Sequence, residues 1–582
     1  MKHIAIFFSF IFVVLGASSA AHAQSVEIVG DGISNEIKKE IADNLGDIEQ
    51  TDSKFTARRQ ARRAATIGLD VLKSKGWLAA QAETAVETGP PLQPIIRLNK
   101  GPRFTLDSIS IAIEDEYIDE TDIPSLNLKT GDYAQAKLIL DEEKRLLATL
   151  KSSGYAEASK LERLAIGDKE NANLDLTYNF LSGPKICLGE IQTNNSGRTK
   201  KSIVHKLSPY EFGDLFSPDT LEEYKKRLSD TQLYKYVKIE LLPAISEDNS
   251  EQCQSRDLLV TLEDASRRTV TAGLSYATTE GFGAQAGYEM RNYTGRADTI
   301  NIDLLLNNLE QSLSTRWKQP LNGGYKHSLT LDAAIRRERT DAYDSNSISA
   351  NALYERPWTR AIDLFAGVGV EVGEETQNNI TQDFQILSGR GGARFDNTDN
   401  ALDPSHGVRL QISAEPAYGI GDINGQFVTT TAQLRGYTSF ASDKYIIAGR
   451  IRVGGISGSS FADIPSTRRF YAGGGGSVRG YEFQSIGPRN SENEPIGGRS
   501  LVETSLEARI RLKNKFGFAV FADAGEVGSQ EMPEFSDLRM GVGAGIRYYT
   551  NFGPLRLDLA TPINPRDDDQ NLLLYLSIGQ AF

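Results

Sequence analysis

Cysteine and histidine are scarce in this chain, and their scarcity excludes much. Two cysteines, Cys187 and Cys253, stand among 582 residues, and the histidines (His3, His22, His205, His327 and His406) are scattered. No spacing among them matches a metal-ligand set, so neither a metal nor any other cofactor is expected. An excess of basic residues is missing too. The formal net charge is −13, which argues against a nucleic-acid partner, because phosphate binding needs a basic surface. Catalytic signatures are equally thin. The run Gly473 to Gly480 is glycine-rich but lacks the Gly-Lys-Ser/Thr of a phosphate-binding loop. A Gly-x-Ser-x-Gly elbow is absent as well. An enzyme is therefore not expected; a hydrolase built on an isolated serine–histidine pair would have to use His327 or His406.

Long apolar runs are confined to the start. Met1 to Ala23 carries Lys2, an apolar stretch from Ile4 to Leu15 and small residues ending Ala21-His22-Ala23. This reads as a secretory signal at 1–23, cleaved before Gln24. No later run suits a membrane helix. Two classes remain, a soluble exported protein or a membrane barrel whose alternating strands escape hydropathy averages. Export to an oxidising compartment with two cysteines points to a Cys187–Cys253 disulfide.

Residues 24–266 repeat one α+β unit three times, over 24–100, 101–182 and 183–266. Leu72-Lys-Ser-Lys-Gly-Trp77 parallels Leu150-Lys-Ser-Ser-Gly-Tyr155, and Lys100-Gly-Pro-Arg103 parallels Ser182-Gly-Pro-Lys185. Each unit reads as β-α-α-β-β, with Gly76 and Gly154 closing helices that begin near Phe55 and Tyr133. Such a unit leaves a sheet edge open, which serves either as a spacer surface or as a docking edge for another chain's strand. In the third unit Cys187 lies on the first strand and Cys253 before the last, and neighbouring strands of one small sheet accommodate that pairing.

From about residue 267 to 582 the pattern is β throughout. Thr269 to Tyr276, Gly283 to Met290 and Ile300 to Leu306 alternate between turns rich in Gly, Asn and Asp. Near the end, Leu555, Leu557 and Leu559 oppose Arg556, Asp558 and Ala560. At about 20 residues per strand and turn, this region makes about 16 antiparallel strands of a membrane barrel. Within it stands Arg469-Phe-Tyr-Ala-Gly-Gly-Gly-Gly-Ser-Val-Arg-Gly-Tyr481. Its glycines permit a tight fold against another surface, and Val478-Arg479-Gly480-Tyr481 presents one permanent cation. Alternation puts Glu503 and Asp523 on the polar, inward face of the following strands. Arg479 is then either an ordinary surface arginine on an exposed turn, or a lumenal latch onto Asp523 or Glu503.

Three repeats, a terminal barrel, Val478-Arg479-Gly480-Tyr481, Phe521-Ala-Asp-Ala-Gly525 and Gly553-Pro-Leu-Arg-Leu-Asp558 together resemble one superfamily. It is that of the BamA-like outer-membrane assembly and translocation proteins, and three repeats resemble its TamA subfamily. The resemblance covers essentially the whole mature chain. It implies three POTRA domains in the periplasm, a 16-stranded barrel in the bacterial outer membrane, and Arg479 inside the lumen on Asp523. It also implies a weak lateral seam between the first and last strands, marked here by Val270, Gly579 and Phe582. There a client's β-strand can pair before release into the bilayer, at an edge that closed barrels otherwise abolish. Gly579 either kinks the last strand or fills lumenal space. One position departs from the pattern: Gln580 stands where assembly signals often carry an aromatic. The implied partners are a TamB-like inner-membrane-anchored periplasmic protein, outer-membrane or autotransporter client strands, and outer-membrane lipid. The implied function is insertion or secretion of such clients, with phospholipid transport as an alternative. A passive channel or two-partner-secretion translocator shares the barrel and the Arg479 motif. Those translocators usually carry two repeats and a plug helix, and a full BamA carries five repeats.

Overall fold

A computed structural model describes residues 26–582 except 49, 90, 196, 245–252, 279–280, 360, 402, 513, 551–552, 579 and 581–582. The expected signal at 1–23 and the seam positions Gly579 and Phe582 lie outside the described residues. The chain forms two compact units. One holds residues 1–190, 210–223 and 241–258; the other holds 191–209, 224–240 and 259–582.

In the first unit, Ser34 caps the helix Asn35–Leu45 by accepting from Ile37 N, and Ser53 caps Lys54–Ser74 by accepting from Thr56 N. The second helix buries a stripe of small residues, Ala57, Ala61, Ala64 and Gly68. A Cβ at Gly68 would lie 3.2 Å from the Leu98 side chain, so the helix rests close on its sheet. That sheet orders Glu27–Val29, Gln93–Asn99 and Gln81–Glu87, with the last strand of the repeat in the middle and parallel to the first. The second repeat keeps the same logic around Asn173–Leu181. It differs from the expected pattern in having one α-helix, Ala136–Ser152, and a 3-10 turn, Glu120–Asp122, where the other helix was anticipated. Pro124, two residues beyond that turn, supplies no amide hydrogen, and the acidic segment around it carries no apolar stripe at helical spacing.

The repeated sequence motifs make one repeated joint. Gly76 and Gly154 both adopt positive φ, 97° and 103°, which lets the chain turn back from the helix end. Their carbonyls accept from Phe104 N at 2.8 Å and Ile186 N at 2.9 Å. Arg103 then lies 4.9 Å from the Trp77 ring centre, and Lys185 lies 5.8 Å from that of Tyr155. The two Gly-Pro-cation motifs therefore set a cation over the aromatic that follows each helix-closing glycine. Cys187 and Cys253 form a disulfide with Cα atoms 5.6 Å apart.

The second unit holds a closed barrel of sixteen antiparallel strands, from Arg268–Ala277 to Leu573–Ile578. Among the described residues no helix is long and apolar enough to cross a membrane. The strands themselves carry the alternation a bilayer requires. Leu506, Phe518, Val520, Leu557 and Leu559 are exposed on the outside, whereas Glu507, Arg509, Asp523, Arg547 and Asp558 are buried inside. Every strand has a neighbour on each side, and away from the short closing junction the ladders satisfy the backbone donors and acceptors of the wall without water.

Candidate functional site

The connection between Tyr445–Gly458 and Ser500–Arg511 does not project outward. It folds into the lumen, where Phe470, Ala472, Val478, Tyr481 and Ile486 join wall residues such as Phe384, Ile456 and Val527 in one hydrophobic core. Gly473 and Gly474 turn it at positive φ, and Gly480 does so at 100°. A Cβ on Gly480 would also press on the Thr561–Pro562 backbone at 2.9 Å, so glycine is needed there twice over.

Arg479 ends this turn, 1% exposed. Its Nε donates to Asp523 Oδ2 at 2.7 Å and its Nη2 to Asp523 Oδ1 at 3.0 Å, a two-pronged grip that the backbone N reinforces at 3.1 Å. Nη1 reaches Glu507 at 2.8 Å and Asp558 at 3.2 Å. The guanidinium plane lies 3.3 Å from the Phe521 ring centre. One loop cation thus holds acids on three wall strands, Ser500–Arg511, Phe516–Gly528 and Gly553–Pro562. Val478 is fully buried beside Gly525, and the Tyr481 hydroxyl lies 2.9 Å from Asn564 Oδ1.

Glu503 corrects the sequence expectation. It faces inward as alternation requires, but its partners are the Ser477 hydroxyl and, at 3.5 Å, Arg452, not Arg479. Glu507, four residues on along the same face, takes the role assigned to it. Asp558 was visible as part of a motif, yet its meeting with Arg479 depends on where the loop comes to rest.

A second anchor went unrecognised in the sequence. At the other end of the loop Arg468 donates to Glu415 at 2.8 Å and to Glu371, and Glu375 accepts from Ser466 N at 2.8 Å. Arg469 reaches Gln377 at 2.7 Å. The loop is therefore tied to Ile362–Gln377 and Gly407–Gly421 at one end and to the carboxy-terminal strands at the other. The signal available was a pair of arginines just before the glycine run.

The barrel closes where Arg268–Ala277 meets Leu573–Ile578. Among the described residues, Tyr276 opposite Leu576 and Ala277 opposite Tyr575 are the pairs in register. The Thr278 hydroxyl adds a bond from Leu574 N at 2.8 Å. Val270, on the first strand, is 75% exposed and has its partner, Tyr288, on the hairpin side. The last strand has a different fastening. The Tyr575 hydroxyl accepts from Gly480 N and donates to Tyr481 O, each at 3.2 Å, and its ring rests on Gly475. The final strand is thus fastened to the lumenal loop as well as to the first strand.

A sixteen-strand barrel with an apolar exterior, a short closing seam and a loop latched inside its lumen defines a membrane-embedded β-barrel. Residues 292–582 match the Omp85 superfamily domain, and the chain belongs to that superfamily. Among curated relatives, the outer membrane protein assembly factor BamA of Nitratidesulfovibrio vulgaris is 25% identical over 513 residues, covering 83% of this chain and 63% of that protein. The chain thus spans less than two thirds of that relative's length. The BamA of Neisseria meningitidis is 20% identical over 551 residues, covering 84% and 68%. Human sorting and assembly machinery component 50 homolog is 23% identical over 348 residues, covering 55% and 70%. The crystal structure of Haemophilus ducreyi BamA lacking POTRA domains 1–3 superposes with a TM-score of 0.68 at 17% identity, covering 82% of this chain and all of that one.

Proposed function

We propose that this protein is a TamA-like assembly and translocation factor of the bacterial outer membrane, with its three POTRA repeats in the periplasm. Client outer-membrane or autotransporter strands pair at the seam between Arg268–Ala277 and Leu573–Ile578 and pass from there into the bilayer. The observation that carries this reading is the seam itself: a short ladder beside an otherwise fully paired wall. A closed barrel abolishes strand edges, and a short closing ladder is the cheapest place to regain one. A TamB-like partner anchored in the inner membrane docks on the repeats; the exposed edge strand Gln81–Glu87 suits pairing with such a chain.

A photocrosslinking side chain at Leu274, 78% exposed on the first strand, tests the proposal. Exported barrel or autotransporter strands should crosslink there during their assembly, and a crosslinker at Val370, on the wall's long-laddered side, should capture none. Equal capture at both positions would contradict a role for the seam.

A further inference from the structure

One lumenal ion-pair network does not balance. Four buried guanidinium groups, Arg479, Arg509, Arg547 and Arg556, share three buried carboxylates, Glu507, Asp523 and Asp558. Arginine stays charged in any protein environment, so one cation is in excess. Arg556, in register with Ser577 of the last strand, is the member of this set nearest the seam. Arg556 is 6% exposed; its Nε donates to Ser577 Oγ at 3.0 Å and lies 3.5 Å from Asp558 Oδ2, but its Nη1 is buried without an acceptor. A buried donor of a charged group left unpaired is costly, and a site that tolerates one is prepared for an acceptor.

Arg556 lines a slot of about 150 Å³ with Ser275, Ser577, Tyr575, Gly475 and Gly476. A Cβ at Gly476 would meet nothing within 4 Å. The slot lies where the closing ladder stops. Arg547 is in register with Arg556, and Arg556 with Ser577; one residue beyond the last cross-seam pair, Ser577 and Ser275 both line the slot. In this belt Asp558 is shared by Arg479, Arg547 and Arg556, and Arg556 holds the most distant share, at 3.5 Å. A strand position that would give Arg556 an acid of its own is the next one across the seam, and there the chain offers serines.

We propose that this slot is a carboxylate subsite, filled by an Asp or Glu side chain on the lumen-facing side of a β-strand that pairs with the first strand at the level of Ser275. Ser275 and Ser577 supply hydroxyl donors beside the guanidinium, and a strand in register delivers its side chain at this height. A strand-borne acid is favoured over a lipid phosphate because the belt is built from strand-borne acids and the slot borders the unpaired strand edge. This inference rests on the reading that client strands pair at the seam.

The test uses the full chain in neutral detergent and fluorescent peptides of sequence 571–580. One peptide carries Asp and the other Asn at the position of Ser577, and both have amidated ends. The Asp peptide should bind at least about tenfold more tightly than the Asn peptide, as a charge-assisted pair does. Arg556→Gln should erase that preference. So should Ser577→Asp, which gives Arg556 its own partner and does not depend on the first variant folding. Binding of both peptides without preference, or a preference surviving in both variants, would overturn the subsite and leave seam pairing standing. Failure of both peptides to bind would overturn both readings. Loss of the Asp preference on adding phosphatidylglycerol, but not phosphatidylcholine, would reassign the slot to a phosphate.

Discussion

Two junctions in one wall differ sharply. Between Ile362–Gln377 and Ile380–Asp396 the ladder runs the full length of the strands, from Ile362 opposite Phe395 to Gln377 opposite Ile380. Between Arg268–Ala277 and Leu573–Ile578 it is in register at Tyr276 and Ala277. The long junction needs no help, since each rung adds backbone hydrogen bonds and cross-strand packing. The short one is braced from within, on one side: Tyr575 ties the last strand to the loop, and Arg479 ties the loop to the three wall strands that bear its acids. Among the described residues, the first strand is held by its own hairpin, by the two rungs to the last strand and by Thr278 on Leu574. On the proposed function, a wall built this way would open by releasing the first strand while the last stays with the loop.

Removing the brace altogether should have the largest effect. Arg479→Ala leaves Asp523, Glu507 and Asp558 buried with one cation fewer, a loss of about 3–5 kcal/mol for breaking a buried pair. We expect little folded barrel in the membrane fraction, read by heat-modifiable mobility on gels. Arg479→Lys should recover part of the loss, because a lysine lacks the two-pronged fork. Gly541→Leu should imitate Arg479→Ala with every charge in place, since a side chain there runs into the Arg479 carbonyl. If Arg479→Ala and Gly541→Leu both assemble normally, the wall does not depend on the loop.

Loosening only the seam should cost less. Tyr575→Phe removes two hydrogen bonds to the Gly480–Tyr481 backbone, worth about 1–3 kcal/mol together. The barrel should form, with faster amide exchange in the last strand and unchanged exchange in Ile362–Gln377. Unaltered exchange in both strands would show that Tyr575 is not the brace. The smallest effect belongs to the loop's other anchor. The Arg468 side chain is 27% exposed, and its pairs with Glu371 and Glu415 are correspondingly screened. Arg468→Ala should cost about 1 kcal/mol or less and leave seam exchange as it was. A larger loss than that of Tyr575→Phe would move the working anchor to the far wall.

Much of this was legible in the residues, for a definite reason. A β period of two assigns each strand residue to lipid or lumen, so Asp523 and Glu503 could be placed inward before any fold was known. The same period cannot say which inward acid meets Arg479, because that depends on where a long loop docks. Glu503 and Glu507 are indistinguishable by alternation, and the loop's resting place selects Glu507. Repeats were legible through Gly76 with Trp77 and Gly154 with Tyr155, where each glycine supplies a positive φ that few other residues adopt. The 3-10 turn at Glu120–Asp122 broke the repeat because Pro124 and its acidic neighbours carry no helical stripe. Arg468 stayed hidden because its partners come from strands far away in the chain.

The central claim is that the seam must part. With Cys187→Ser and Cys253→Ser as background, Tyr276→Cys and Leu576→Cys place thiols on directly opposed residues of the closing ladder. Client assembly into the outer membrane is then followed with the pair oxidised and again after reductant. The account predicts that oxidation abolishes assembly and reductant restores it. Full assembly with the seam locked would contradict it and leave the barrel a closed wall, with the work done by the periplasmic repeats.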